Sequence, residues 1–171
     1  MLNPVTAEFI SQLQRLLPAA AFPELGDKYL TEPRGQYRGS AGLLVAPDST
    51  AQVAQVITVA AAARISVVPY GGGTGLVGGQ ILPESTTGAP APLILSLGRM
   101  RRIRACYPAE NVLVAEAGVV LAEVQQSAAD VDRLFPLSLA SEGTAQIGGL
   151  LATNAGGINV LRYGMARDQV L

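Results

Sequence analysis

Apolar side chains at Phe9, Ile10, Leu13, Leu16 and Leu17 recur at helical spacing behind Thr6, which predicts an amphipathic helix capped by that threonine and stopped by Pro18. A second helix is predicted after Pro47-Asp48-Ser49, where Ser49 and Gln52 have capping-box spacing and Val53, Val56, Ile57 and Ala60 form one stripe. Leu121, Val124, Ala128 and Val131 mark a third. Shorter apolar runs at 42–46, 65–70, 93–97, 101–106 and 112–116 predict strands. The stretch before Gly42, with Pro23, Gly26, Pro33, Gly35 and Gly39, reads as an irregular arm, and 83–92 as a polar, proline-containing loop between strands. The pattern is that of an α+β chain in which strands outnumber helices.

The strand at 65–70 opens directly into Gly71-Gly72-Gly73-Thr74-Gly75-Leu76-Val77-Gly78-Gly79. Glycine permits positive φ and removes the Cβ that would block a ligand, so successive N–H groups can converge on one anion without a cationic side chain. A phosphate or diphosphate is the natural guest; a mobile surface loop or tight hairpin is the alternative reading of the same glycines. A second region poor in bulky side chains runs over 142–157. There Thr144, Gln146, Thr153 and Asn154 offer side-chain hydrogen bonds, while glycines and alanines would let a planar group lie close to the backbone. A helix packed tightly on a sheet would use the same small residues, and the sequence leaves both readings open.

Composition narrows the chemistry. With 171 residues, 49% of them hydrophobic and 15% charged, the chain can bury a real core, and its formal charge of -1 provides no field to attract nucleic acid. Arg99, Arg101, Arg102 and Arg104 alternate with Met100, Ile103 and Ala105, as on a half-exposed strand. The chain has no histidine, which removes every imidazole-based mechanism, and with one cysteine no metal site is expected. Cys106 cannot form an internal disulfide; it reads as a small buried apolar residue in a reducing compartment. The longest apolar segment, 53–63, is too short to span a bilayer, and Asn3, Pro4, Glu8 and Gln12 interrupt any secretory pattern, so a cytoplasmic location is expected.

Gly73 to Gly78 also match G-x-G-x-x-G after a strand, but Gly78, Gly79 and Pro83 leave no room for the helix that a Rossmann site places at its diphosphate. A nucleoside-triphosphate loop fails as well, because Leu76 and Val77 stand where Lys and Ser/Thr are needed. A backbone anion cradle between two strands survives.

Together, Pro69 to Gly79, Glu142 to Gly149 and Ala152 to Gly164 resemble the FAD-binding (PCMH-type) domain of the FAD-linked oxidases, in the branch of D-2-hydroxyacid dehydrogenases that includes the glycolate oxidase flavin subunit. The resemblance also takes in Tyr37-Arg38-Gly39, Pro47 to Thr50 with Val53, and 97–118, so it runs from about Tyr37 to the end. It implies two α+β lobes, an N-terminal helix and arm over 1–36, and a cofactor domain over 37–171 whose second lobe is incomplete. It also implies FAD, held without a covalent bond, since the chain lacks histidine and Cys106 lies outside both motifs.

By that resemblance Pro69, Tyr70, Gly71, Gly72, Gly73, Thr74, Gly75 and Leu76 would hold the diphosphate through main-chain N–H groups, with the Thr74 hydroxyl added. Ser141, Gly143, Thr144, Gln146, Ile147 and Gly148 would line the flavin and ribityl chain. Thr153, Asn154, Ala155 and Gly156 would complete that wall, with Tyr163 and Gly164 near the isoalloxazine. No catalytic residue is expected within 1–171, because the family pattern continues past Leu171 into the part that binds substrate. The implied activity of the longer parent is oxidation of a small D-2-hydroxyacid, with electrons passed to a carrier. A non-catalytic FAD or nucleotide module, or a flavin reductase of the same fold, remains the alternative; a homodimer is left open.

Overall fold

The computed structural model describes residues 1–82 and 88–171, and part of the loop expected at 83–92 falls outside them. The chain divides into two compact units, Met1–Arg99 and Met100–Leu171.

In the first unit, helix α1 (Ala7–Leu16) starts as predicted, with the Phe9 N–H donating to Thr6 Oγ1 at 3.2 Å. Phe9, Leu13 and Leu17 are buried, whereas Leu16 is exposed. Helix α2 (Thr50–Ala63) has Ser49 as its cap, and the Gln52 side chain accepts from the Asp48 N–H, one residue earlier than a strict capping box requires. Its buried stripe is Val56, Val59 and Ala60; Ile57, expected inside, is exposed, because at 100° per residue it falls to one side of that stripe. Arg64 in the left-handed conformation (φ 54°) ends the helix and turns the chain into the sheet.

That sheet has the order β1-β3-β2, from β1 (Leu43–Val45), β2 (Val67–Tyr70) and β3 (Leu93–Ser96), with both pairings parallel. All four residues of β3 are buried, as a central parallel strand covered on both faces requires. Leu93 and Leu95 pack with Phe9, Leu13 and Val56, while the alternate residue Ile94 joins Leu44 and Tyr70 beneath Leu25, Tyr29 and Leu30 of the arm. Pro69 is tolerated within β2 because β2 is an edge strand.

The second unit contains the antiparallel hairpin of β4 (Ile103–Tyr107) and β5 (Val112–Ala115), then helices α3 (Leu121–Ala129), α4 (Ile147–Thr153) and α5 (Val160–Tyr163). Leu121, Leu137, Ala145, Leu150 and Ala166 form its core. Strands therefore do not outnumber α-helices among the described residues: α4 forms within the 142–157 segment that was open to a ligand wall or a helix, and α5 follows it. Cys106 is exposed, not buried. The alternation of β4 places Ile103 and Ala105 on the more covered face and Arg104 and Cys106 on the open one.

The arginine run is solvated but not idle. Glu116, almost fully buried, accepts from the Arg102 N–H at 2.9 Å and from the Arg102 and Arg104 guanidiniums at 2.9–3.1 Å. Hydrogen bonds from the Arg102 side chain and N–H, with a smaller contribution from Arg104, hold the Glu116 carboxyl down at about 2. Arg101 pairs with Glu123, whose Oε2 accepts from the Val120 N–H at the start of α3.

Candidate cofactor site

In a parallel sheet, ligands gather beyond the carboxyl ends of the strands, and the glycine run leaves β2 at that end. Leu97 N–H still donates to the Tyr70 carbonyl at 3.1 Å, so the sheet holds the last residue before the loop. Beyond it the chain bends away from its neighbour. Among the described residues, no backbone N–H from residues 71–80 donates to a protein acceptor. Residues 71–75 are nevertheless half-buried, and a run of uncommitted donors there fits a ligand rich in oxygen acceptors. Among the described residues no helix begins at the loop, in agreement with the rejection of a Rossmann site.

Two neighbours hold the loop in shape. Tyr70 is buried, its ring meets Tyr29 edge-on with centroids 4.8 Å apart, and its hydroxyl donates to the Lys28 carbonyl at 2.6 Å. Burial, with Tyr29 adding to it, pushes the Tyr70 hydroxyl pKa up, so it remains a donor. Gln80 Nε2 donates to the Gly75 carbonyl at 2.9 Å and to the Gly73 carbonyl at 3.3 Å. Gly73 and Gly78 have φ of 72° and 73°, and a Cβ on Gly78 would stand 3.3 Å from the Tyr37 ring. Gln80 was not predicted from the sequence; a single polar residue after a glycine run has no periodic signature.

In the second unit the predicted wall is partly helix. Ser141 accepts from the Thr144 and Ala145 N–H groups, and an antiparallel bridge between Val120 and Gln146 leads into α4. The Ile147 and Gly148 N–H groups donate to Val119 and Ala117 carbonyls, so these two amides are committed to the fold. A Cβ on Gly148 would come within 2.9 Å of the Ala117 Cβ, which is the close packing anticipated by the helix reading. Gly143 and Gly149 have open space where a Cβ would stand.

Gln146 behaves differently: its Oε1 is buried without a hydrogen-bond partner among the described residues. A buried acceptor of this kind costs roughly 1–3 kcal/mol until a donor arrives. The Thr153 hydroxyl instead donates back to the Gly149 carbonyl, and Asn154, left-handed at the end of α4, accepts the Arg167 N–H on Oδ1. Ala155 N–H closes on the Leu150 carbonyl, and Gly156 lies against Val160 and Met165. Tyr163 stacks with the Arg162 guanidinium 5.2 Å from its centroid and receives the Gln169 amide on its carbonyl; Gly164 follows at φ 81°.

A cavity of about 850 Å³ in the same unit is walled largely by apolar residues such as Val112, Val124, Phe135 and Leu150. Of the predicted site residues it includes Ile147 alone, and an apolar wall does not suit a diphosphate.

A family model described as an FAD-binding domain matches residues 41–171. The chain belongs to the FAD-binding domain family. The FAD-binding domain is 37% identical over 136 residues to a D-2-hydroxyglutarate–pyruvate transhydrogenase of Saccharomyces cerevisiae, an alignment covering 80% of this chain and 26% of that protein. It is 33% identical over 171 residues to the mitochondrial D-2-hydroxyglutarate dehydrogenase of Bos taurus, covering 98% of this chain and 30% of the relative. Among solved structures, an alkyldihydroxyacetonephosphate synthase superposes with a TM-score of 0.83 at 20% identity, over 100% of this chain and 33% of that one, a likeness of fold.

The chain thus spans about a quarter to a third of the curated relatives it matches. The cofactor of the family is FAD. Taken unit by unit, the uncommitted amides of 71–80 suit an acceptor-rich diphosphate, and the orphaned Gln146 Oε1 suits an N–H or hydroxyl donor. The expected cytoplasmic location is corrected by relatives from Bos taurus, Oryza sativa and Arabidopsis thaliana, all named as mitochondrial enzymes. A lone cysteine and a near-neutral charge suit any reducing aqueous compartment, so composition could not separate these locations. No helix among the described residues is long and apolar enough to cross a membrane.

Proposed function

We propose that this chain is the cofactor-binding portion of a flavin-dependent dehydrogenase that oxidises a small D-2-hydroxyacid to the 2-oxoacid and passes the electrons to a carrier. The observation that carries the reading is the row of uncommitted N–H groups at the carboxyl end of β2, within a chain 33–37% identical to D-2-hydroxyglutarate-metabolising enzymes. Bound non-covalently, FAD would supply the hydride acceptor.

The chain's own residues bind and orient. The 69–76 segment would neutralise the diphosphate with main-chain dipoles, which need no counter-ion and no side-chain ordering. Thr74, whose hydroxyl makes no hydrogen bond among the described residues, would add one more donor. Gln146 Oε1 would accept from the ribityl chain or the isoalloxazine ring, ending its unpartnered state. Ser141, Gly143 and Thr144 would flank it, and Tyr163 and Gly164 would stand near the ring. The arm over 1–36 would serve as support for the domain over 37–171; Tyr29, packed on Tyr70, is the contact that favours this role.

The test is to purify the full-length protein without added cofactor and record its visible spectrum before and after anaerobic addition of D-2-hydroxyglutarate, D-lactate or glycolate. A flavin spectrum bleached by one of these acids, with the matching 2-oxoacid formed, supports the proposal. A flavin spectrum that none of them bleaches would leave a cofactor-binding module and remove the assigned activity.

A further inference from the structure

The loop must do more than contain donors; it must aim them. Gln80 Nε2 donates to two carbonyls, Gly73 and Gly75, two residues apart on the same loop. No peptide bond among the described residues is cis, and in a trans peptide the N–H of the next residue points opposite to the C=O. Drawing the Gly73 and Gly75 carbonyls toward one side chain therefore turns the Thr74 and Leu76 N–H groups toward the other side of the loop. Gly73, at φ 72°, supplies the left-handed step that lets alternate peptide planes share an orientation.

The contact is close on the Gln80 side, since a Cβ on Gly75 would sit 2.7 Å from Gln80 Oε1. Only an amide or another donor suits that position, because two carbonyl oxygens face it. The opposite side is where the Thr74 and Leu76 N–H groups have no acceptor among the described residues.

We propose that Gln80 is the positioning residue of the anion cradle: by clasping the Gly73 and Gly75 carbonyls it directs the Thr74 and Leu76 N–H groups at the diphosphate oxygens. The inference rests on the FAD reading above and adds which amides act and what orients them. It also gives the cradle a preference, because a loop with carbonyls turned inward and N–H groups outward attracts anions and rejects cations.

The experiment is a titration of FAD into the isotope-labelled chain, followed by amide NMR, for the unaltered protein and for Gln80→Met, which keeps the length of the side chain and loses the donor. The expected result is that the Thr74 and Leu76 amide protons move downfield on binding FAD. In Gln80→Met both shifts shrink, and FAD binds weaker by on the order of tenfold, the consequence of two lost hydrogen bonds. If that variant fails to fold by circular dichroism, Gln80→Leu takes its place, with the same expectation. Equal FAD affinity and equal shifts in variant and parent would overturn the role of Gln80 while leaving FAD binding intact. FAD binding to the parent without movement of Thr74 and Leu76 would overturn the aiming of those amides. Failure of the parent to bind FAD at all would overturn the cofactor reading itself.

Discussion

The position that a Cβ on Gly73 would occupy lies 2.2 Å from the Tyr70 hydroxyl oxygen, and that hydroxyl in turn donates to the Lys28 carbonyl. One atom therefore joins the end of β2, the arm and the glycine loop. Sterics at Gly73 and a hydrogen bond at Lys28 both act on the same buried ring, so the loop's shape is set by packing beneath it.

Gly73→Ala should accordingly damage the loop twice, through a left-handed φ that costs about 1–2 kcal/mol for a residue with a Cβ and through contact with the Tyr70 hydroxyl. We expect FAD affinity to fall by at least about tenfold while the three-stranded sheet persists. Fluorescence titration of FAD and far-ultraviolet circular dichroism would check the two halves of this prediction.

Tyr70→Phe keeps the ring against Tyr29 and deletes the donor to Lys28. The expected loss is about 1 kcal/mol of stability, the net contribution of one neutral hydrogen bond. Chemical denaturation would measure it, and an unchanged midpoint would mean that water replaces the hydroxyl at the Lys28 carbonyl.

Glu116 gives the second unit a dependence on acid. Its pKa is lowered from the ordinary 4.5 to about 2 in the folded protein, so its stabilising contribution is complete above about 4.5 and disappears as pH falls toward about 2. Between these limits Glu116→Gln should show a shallower decline of melting temperature with acid than the parent, because the glutamine has no proton to gain. Parallel slopes for the two proteins would place the acid sensitivity elsewhere.

Gly157 has φ 133°, and a Cβ there would stand 2.1 Å from the Ser138 carbonyl oxygen. Gly157→Ala should destabilise the second unit by more than about 1 kcal/mol, as substitutions at glycine-only conformations do. Amide exchange should rise in residues 135–170 and leave β1, β2 and β3 protected.

Strands and long helices were legible because their side chains contrast: Leu93, Ile94 and Leu95 form an unbroken apolar run, and α1 alternates faces behind a capping threonine. Residues 142–157 carried no such contrast. Gly, Ala, Thr and Asn look alike to a periodicity argument, so α4 was not separated from a ligand wall, and the single turn of α5 is too short to show a period. Cys106 was misplaced because composition says how often a thiol is buried, while the pleat of β4 decides which way this one faces. The bare-backbone loop after β2 was legible from its glycines, which begin where the apolar strand ends. Gln80, which orients it, became visible only through its two hydrogen bonds.

A crystal structure of the protein grown with FAD would show where the diphosphate sits. Diphosphate oxygens should lie within hydrogen-bond distance of N–H groups between Gly71 and Leu76, at the carboxyl end of β2. A bound FAD whose diphosphate lies away from that loop, with the 71–76 amides facing solvent, would contradict that placement.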